Sequence, residues 1–98
     1  MAIKKQFLKS KPVCKVTFEL AAQESVKVSV VGDFNKWDAT AFPLKKLKNG
    51  KFKAVFPLAS GKSYEFKYLV DGQYVNEEKA DAFTWNDYAN SENSILEL

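Results

Sequence analysis

The 98-residue chain contains no histidine and no arginine. Without histidine there is no imidazole to activate a serine or cysteine nucleophile, and the usual zinc sites are excluded as well. All fifteen basic residues are lysine, so the planar fork that commonly reads guanine edges and phosphates is missing. The net charge of +3 is therefore a weak pointer, and no nucleic-acid partner is expected. The lone cysteine, Cys14, rules out an intrachain disulfide. Its place in an alternating run marks it as a small buried hydrophobe. No apolar run approaches a membrane span, and the N-terminus MAIKKQFLKSKPV lacks the apolar stretch of a secretory signal. Taken as a whole protein, the chain is expected to be soluble and cytoplasmic, without a membrane partner. The four glycines all sit in turn contexts, so no phosphate-cradling loop is present. The twelve carboxylates form no clear dyad. Glu77 and Glu78 are neighbours whose side chains point to opposite faces of an extended chain, and solubility is their expected role. Catalysis is not expected, and neither a metal nor a cofactor is implied.

What is present is a core and an alternation. The chain is 46% hydrophobic and 14% aromatic, enough for one small domain without covalent staples. Val16, Phe18 and Leu20 alternate with Lys15, Thr17 and Glu19, which predicts a strand over Cys14–Leu20. The same period predicts strands over Val26–Val31, Lys51–Leu58 and Ser63–Val70, with Ser94–Leu98 closing the chain. Phe42–Leu47, with Pro43 near its start, reads as a short edge strand. Ala21–Ser25, Asn49-Gly50, Ser60-Gly61 and Asp71-Gly72 read as turns, the last leading to a short strand at Gln73–Val75. Asn76–Glu92 reads as a long polar and acidic loop with Phe83, Trp85 and Tyr88 embedded in it. No stretch has a helical period. The fold expected is all-β: a small antiparallel sandwich of about seven strands over residues 12–98, preceded by a basic lead-in over 1–11.

One turn carries aromatics where polar residues are expected. Gly32–Asp38, GDFNKWD, follows the second strand and contains Phe34 and Trp37. Phe34, nearer the strand, is expected to fold back over the core. Trp37, between Lys36 and Asp38, either plugs the end of the sheet or stands out to meet a flat partner. The sugar ring is such a partner: its C–H face suits an indole or phenol, and its hydroxyl rim suits amide and ammonium groups. The residues with these properties are Trp37, Lys67, Tyr74 and an asparagine before the last strand. Lys67 faces away from the apolar set of its own strand.

VVGDFNKWD, the following Pro43-Leu44, YEFKYLVDGQY and ENS before the final strand together resemble the family-48 carbohydrate-binding module. That family is the early-set, immunoglobulin-like sandwich found before the catalytic domain of isoamylases and glycogen branching enzymes. It is similar to the glycogen-binding domain of the AMP-activated protein kinase β subunit. GDFNxW and YxFKYxVDG stand in order about thirty residues apart, and the resemblance runs from Cys14 onward. KKQFLKSKPVCKVTF further resembles small free-standing bacterial members. The resemblance implies non-catalytic binding of α-1,4-glucan such as glycogen or starch oligosaccharides. It implies stacking on Trp37 and Tyr74, with hydrogen bonds from Lys67 and Asn93. The chain departs from the common pattern at Tyr74, where glycogen binders usually carry tryptophan. It departs again over Ala89–Ser91, which lacks the frequent glycine and the bulky apolar residue. Trp85 either compensates or caps the sandwich edge.

The alternative is a protein-interaction module with sugar binding lost, docking a glucan-metabolising enzyme or assembling with itself. Residues 1–62 hold thirteen lysines and four acids, +9; residues 63–98 hold two lysines and eight acids, −6. Such a division can guide association, or can be two complementary halves packed together. The lead-in, with Ile3, Phe7 and Leu8 among its lysines, is the first place to look for a partner surface.

Overall fold

The computed structural model describes residues 2–21, 27–87 and 91–98. Among them are nine β-strands and no α-helix. In chain order these are β1 (Ala2–Phe7), β2 (Val13–Ala21), β3 (Val28–Gly32), β4 (Lys45–Lys46), β5 (Lys51–Ala59), β6 (Ser63–Val70), β7 (Gln73–Val75), β8 (Ala82–Asn86) and β9 (Ser91–Glu97). They form two antiparallel sheets, β1-β2-β5-β4 and β3-β6-β9-β8, with β7 also paired to β6. The expected turn at Ala21–Ser25, Val26, Tyr88 and the Ala89-Asn90 part of the later turn fall outside the described residues, apart from Ala21, which ends β2.

Alternation accounts for the two layers. Cys14, Val16, Phe18 and Leu20 of β2 are buried, and so are Phe66 and Tyr68 of β6 and Leu96 of β9. Phe18 lies between the sheets, its ring centroid 5.6 Å from Phe66 and 6.2 Å from Tyr68, both edge-on. Edge-on contacts set the positive rim of one ring against the negative face of the other. The β6–β7 turn has Asp71 at φ 48° and Gly72 at φ 87°. Two left-handed residues in a row make the turn twist that suits a two-residue hairpin, and glycine takes the second position without steric cost.

The strand expected over Phe42–Leu47 is divided between the layers. Leu44 N–H donates to the Val28 carbonyl at 2.9 Å, and Val30 N–H to the Phe42 carbonyl at 3.0 Å. Residues 42–44 therefore lie along the free side of β3. The chain then crosses to the other sheet, where Lys45 and Lys46 pair with Lys53 and Phe52.

Two strands exceed the seven expected. The lead-in supplies β1, in register with β2 from Ala2↔Glu19 to Phe7↔Cys14. The stretch read as a polar loop supplies β8, paired with β9 from Ala82↔Ile95 to Asn86↔Ser91. Glu77 also differs from expectation. It is wholly buried, its carboxylate accepting from the Tyr68 hydroxyl at 2.9 Å and the Lys79 N–H at 3.0 Å. Its own N–H donates to Ser94 Oγ at 2.9 Å. Glu77 therefore pins the connection between β7 and β8 to the sandwich interior, while Glu78 remains exposed. Burial, and then the Glu77 carboxylate, push the Tyr68 hydroxyl well above the ordinary phenol range.

The division of charge along the chain is a division between layers. The first sheet carries Lys4, Lys5, Lys15, Lys45, Lys46, Lys51 and Lys53 against Glu19 alone. The second carries Lys67 against Glu65, Glu92 and Glu97. Lys5 and Asp81 join the two across one flank at 2.6 Å.

Candidate functional site

The outer face of the second sheet is set by parity. Phe66 and Tyr68 point inward, so Glu65, Lys67 and Leu69 of β6 point out. Their neighbours on that face are Val31 of β3, Tyr74 of β7, opposite Leu69, and Ile95 of β9, opposite Glu65. Asn93 of β9 lies opposite Thr84 of β8 and follows the same parity. β9 pairs with β6 as far as Phe66, and β7 takes over the same edge from Tyr68. Lys67 sits at that junction.

The motif Gly32–Asp38 builds one wall over this face, and each residue has a separate task. Gly32 is extended and lies against β6, where a methyl carbon would meet the Glu65 carbonyl and come within 2.8 Å of Phe66 Cβ. Asp33 spans two elements, accepting from the Glu65 N–H at 3.0 Å and from Trp37 Nε1 at 3.3 Å. Phe34 folds back, stacked on Phe42 at 5.3 Å and tilted on Phe18 at 6.1 Å. Asn35 clamps the turn to β3, accepting from the Gly32 N–H and donating to the Val30 carbonyl, both at 3.0 Å. Lys36 and Trp37 are both left-handed, at φ 56° and 58°. Two such non-glycine residues in succession cost about 1–3 kcal/mol each, and such strain concentrates at ligand sites. The Trp37 N–H returns to the Gly32 carbonyl at 2.9 Å. Asp38 closes the turn by accepting from the Thr40 N–H and hydroxyl, bonds that hold its carboxyl below the usual range.

The result is an open cleft of about 560 Å³. Trp37 and Trp85 line it with Asp33, Glu65, Asn86, Asp87 and Asn93. Of the four residues expected to bind, Trp37 and Asn93 share this cleft. Asn93 is 3% exposed, donating to Glu65 Oε1 at 3.2 Å and accepting from Asn86 Nδ2 at 3.4 Å. The other two are not in the lining. Lys67 is 6% exposed, and its ammonium donates to Ser91 Oγ at 2.7 Å. Tyr74 is 62% exposed and stands farther along the same face. Trp37 is half-buried rather than fully projecting.

Glu65, Asn86, Asp33 and Asp87 were not anticipated at the site. The parity of Glu65 with Lys67 was a sufficient signal for the first. Asn86 and Asp87 required the recognition of β8. Among the described residues, no group of three or more histidine, cysteine or acidic side chains is arranged to hold a metal ion. No helix there is long and apolar enough to cross a membrane.

Residues 8–84 match the sequence profile of carbohydrate-binding module 48, the isoamylase N-terminal domain. The chain belongs to this family. The module is similar to part of a 1,4-alpha-glucan branching enzyme GlgB from Pseudoalteromonas atlantica, 36% identical over 73 residues, or 71% of this chain and 10% of that protein. GlgB from Rubrobacter xylanophilus is 33% identical over 72 residues, 72% of this chain and 10% of its own length. GlgB from Photobacterium profundum is 34% identical over 76 residues, 76% and 11% respectively. The module thus spans about a tenth of the length of these curated relatives.

Proposed function

We propose that the module binds α-1,4-linked glucan, as glycogen or starch oligosaccharides, and does not transform it. The observation that carries this reading is the presentation of Trp37 on a strained turn beside Asn93, Asn86, Glu65 and Asp33. An indole covers the C–H face of a pyranose, while amides and carboxylates beside it meet the hydroxyls. The names of the relatives, 1,4-alpha-glucan branching enzymes, favour the α-1,4 linkage. Lys67 is the part of the reading that the geometry modifies. Its ammonium is held in place by Ser91, so its proposed contribution is a fixed donor rather than a mobile one. Tyr74, free of packing on its outer side, is proposed as a second stacking platform for a longer chain.

The test is NMR titration of the labelled protein with maltoheptaose, with a β-linked glucan of similar length as control. Shift changes are expected at residues 33–37, 65, 86 and 93 for the α-linked sugar only. Lys67→Ala and Tyr74→Ala are expected to weaken binding, and Tyr74→Trp to strengthen it. Equal responses to both linkages, or changes confined to the other sheet, would overturn the reading.

A further inference from the structure

The outer face of the second sheet carries a second hollow, apart from the Trp37 cleft. Its volume is about 230 Å³, and every residue that lines it is among those described. On β6, Glu65 lines the cleft and Leu69 lines this hollow. Four residues of strand separate them, roughly 13 Å. The segment that carries Trp37 lies between the two. Trp37 itself lines the cleft, whereas Ala39 and Thr40 line the hollow.

Three residues stand abreast at this end of the sheet. Ser29 of β3 and Tyr74 of β7 are the partners of Leu69 on its two sides. Directly opposed residues share a face, so all three point outward. Two strand spacings put Ser29 and Tyr74 about 10 Å apart. Ser29 lies deep, 3% exposed, between Leu69 and Pro43. Its hydroxyl has no hydrogen-bond partner among the described residues. No fully enclosed side-chain oxygen or nitrogen among them lacks a partner, so the Ser29 hydroxyl opens on the hollow it lines. Thr40 is different, because its hydroxyl and its N–H both go to Asp38.

This lining restricts what can occupy the hollow. A purely apolar group would bury the Ser29 hydroxyl without returning a hydrogen bond. An anion would be drawn by Lys27 and repelled by Asp71, which both line the hollow. A neutral polyol satisfies all three: its C–H groups suit Leu69, and its hydroxyls can donate and accept. Size restricts it further. Pockets for drug-sized ligands begin near about 300 Å³, so this one admits a single sugar ring. Ala39 and Thr40 contribute to its walls on one side, and the Asp71-Gly72 turn on another. A glucose inside a chain needs two exits for its neighbours, and a terminal glucose needs one. The exposed Tyr74 ring, beyond Leu69, offers the adjoining unit a surface.

We propose that this hollow receives the terminal glucose of an α-1,4-glucan chain. Ser29 and Lys27 bond its hydroxyls, and Tyr74 stacks on the next unit. The proposal rests on the glucan reading and adds recognition of a chain end to it. It also gives Tyr74 a task that its place outside the Trp37 cleft leaves open.

The experiment compares two sugars of the same units, maltoheptaose, which has ends, and cyclomaltoheptaose, which has none. Each is titrated into the labelled protein and followed by NMR. Maltoheptaose is expected to shift residues 27, 29, 40, 69 and 72 as well as those of the cleft. Cyclomaltoheptaose is expected to shift residues 33–37, 65 and 93 and to leave 27, 29, 40 and 72 unmoved. Ser29→Val removes the hydroxyl and narrows the hollow. It is expected to abolish the shifts at 27, 40 and 72, with Tm and the cleft response to cyclomaltoheptaose retained. Silence at the hollow with both sugars, while the cleft responds, would overturn the proposal and leave the glucan reading standing. Equal shifts at the hollow with both sugars, or shifts there that survive Ser29→Val, would also overturn it. A response to maltoheptaose at the hollow alone would support the proposal and overturn the Trp37 cleft as the main site. Silence everywhere would overturn both.

Discussion

Gly32→Ala isolates the role of the motif that shapes the cleft. Gly32 is extended, so alanine meets no backbone strain of its own there. What it meets is β6. The added methyl would press on the Glu65 carbonyl and lie 2.8 Å from Phe66 Cβ and 3.1 Å from Phe34 Cε2. The first of these is backbone in the middle of a sheet, and the second belongs to a wholly buried residue. Neither yields cheaply, so β3 and β6 must separate at Gly32↔Phe66. Overpacking of this kind costs about 1–3 kcal/mol. For a domain of this size each kcal/mol lowers Tm by roughly 4–8 °C. The same shift moves the Gly32 carbonyl that holds the Trp37 N–H, and the Gly32 N–H that holds Asn35. Thermal unfolding by circular dichroism reads the first effect, and maltoheptaose titration the second. A Gly32→Ala protein with wild-type Tm and wild-type binding would refute the claim that this glycine is a contact residue.

Glu77→Ala should lower stability by about 2–4 kcal/mol in denaturant unfolding, because it opens a cavity and leaves the buried Tyr68 hydroxyl without its acceptor; an effect near zero would remove Glu77 as the pin of the β7–β8 connection. Phe66→Ala, which removes a ring at the centre of the core, should cost about 3–5 kcal/mol by the same assay. The Asp81 carboxyl is held below its ordinary value, since the Lys5 ammonium and the Glu97 N–H outweigh a burial effect that acts in the opposite direction. A carboxyl depressed in the folded state stabilises fully above its unfolded value of 3.8, and that stability is lost as pH falls from there through the lower value it has in the folded protein. Asp81→Asn should therefore cost about 0.2–1 kcal/mol at neutral pH and nothing in strong acid, the range of a partly exposed pair; an equal cost at both would mean the ion pair is not its source.

The layers were legible in the sequence because burial on one face writes itself as alternation. Cys14 to Leu20 and Tyr64 to Val70 show this, and the turn residues between strands placed the breaks. β1 was obscured because Lys4 and Lys5 stand side by side, a pattern that suits an edge and hides a strand. β8 was obscured because its aromatic row is exposed and lies within an acidic stretch, so the usual sense of the alternation is inverted. At the candidate site, Trp37 and Asn93 were expected from the motif and the resemblance, and the fold brings both into the lining of one cleft. The sequence had no means of showing that Lys67 is buried on Ser91, since that depends on β7 and β9 dividing one edge of β6. Glu77 was misjudged for a similar reason: its acceptors' donors come from Tyr68 and Lys79, one of them remote in the chain.

The most direct measurement is isothermal titration of maltoheptaose into the wild-type protein and Trp37→Ala, with Tm recorded for both. A stacked indole contributes about 1–3 kcal/mol at most, and millimolar binding is worth only about 4 kcal/mol. The account predicts binding by the wild type and binding weaker by roughly fivefold to a hundredfold for Trp37→Ala, with little change in Tm. Undiminished binding by Trp37→Ala, or a fall in Tm as large as that of Phe66→Ala, would contradict it.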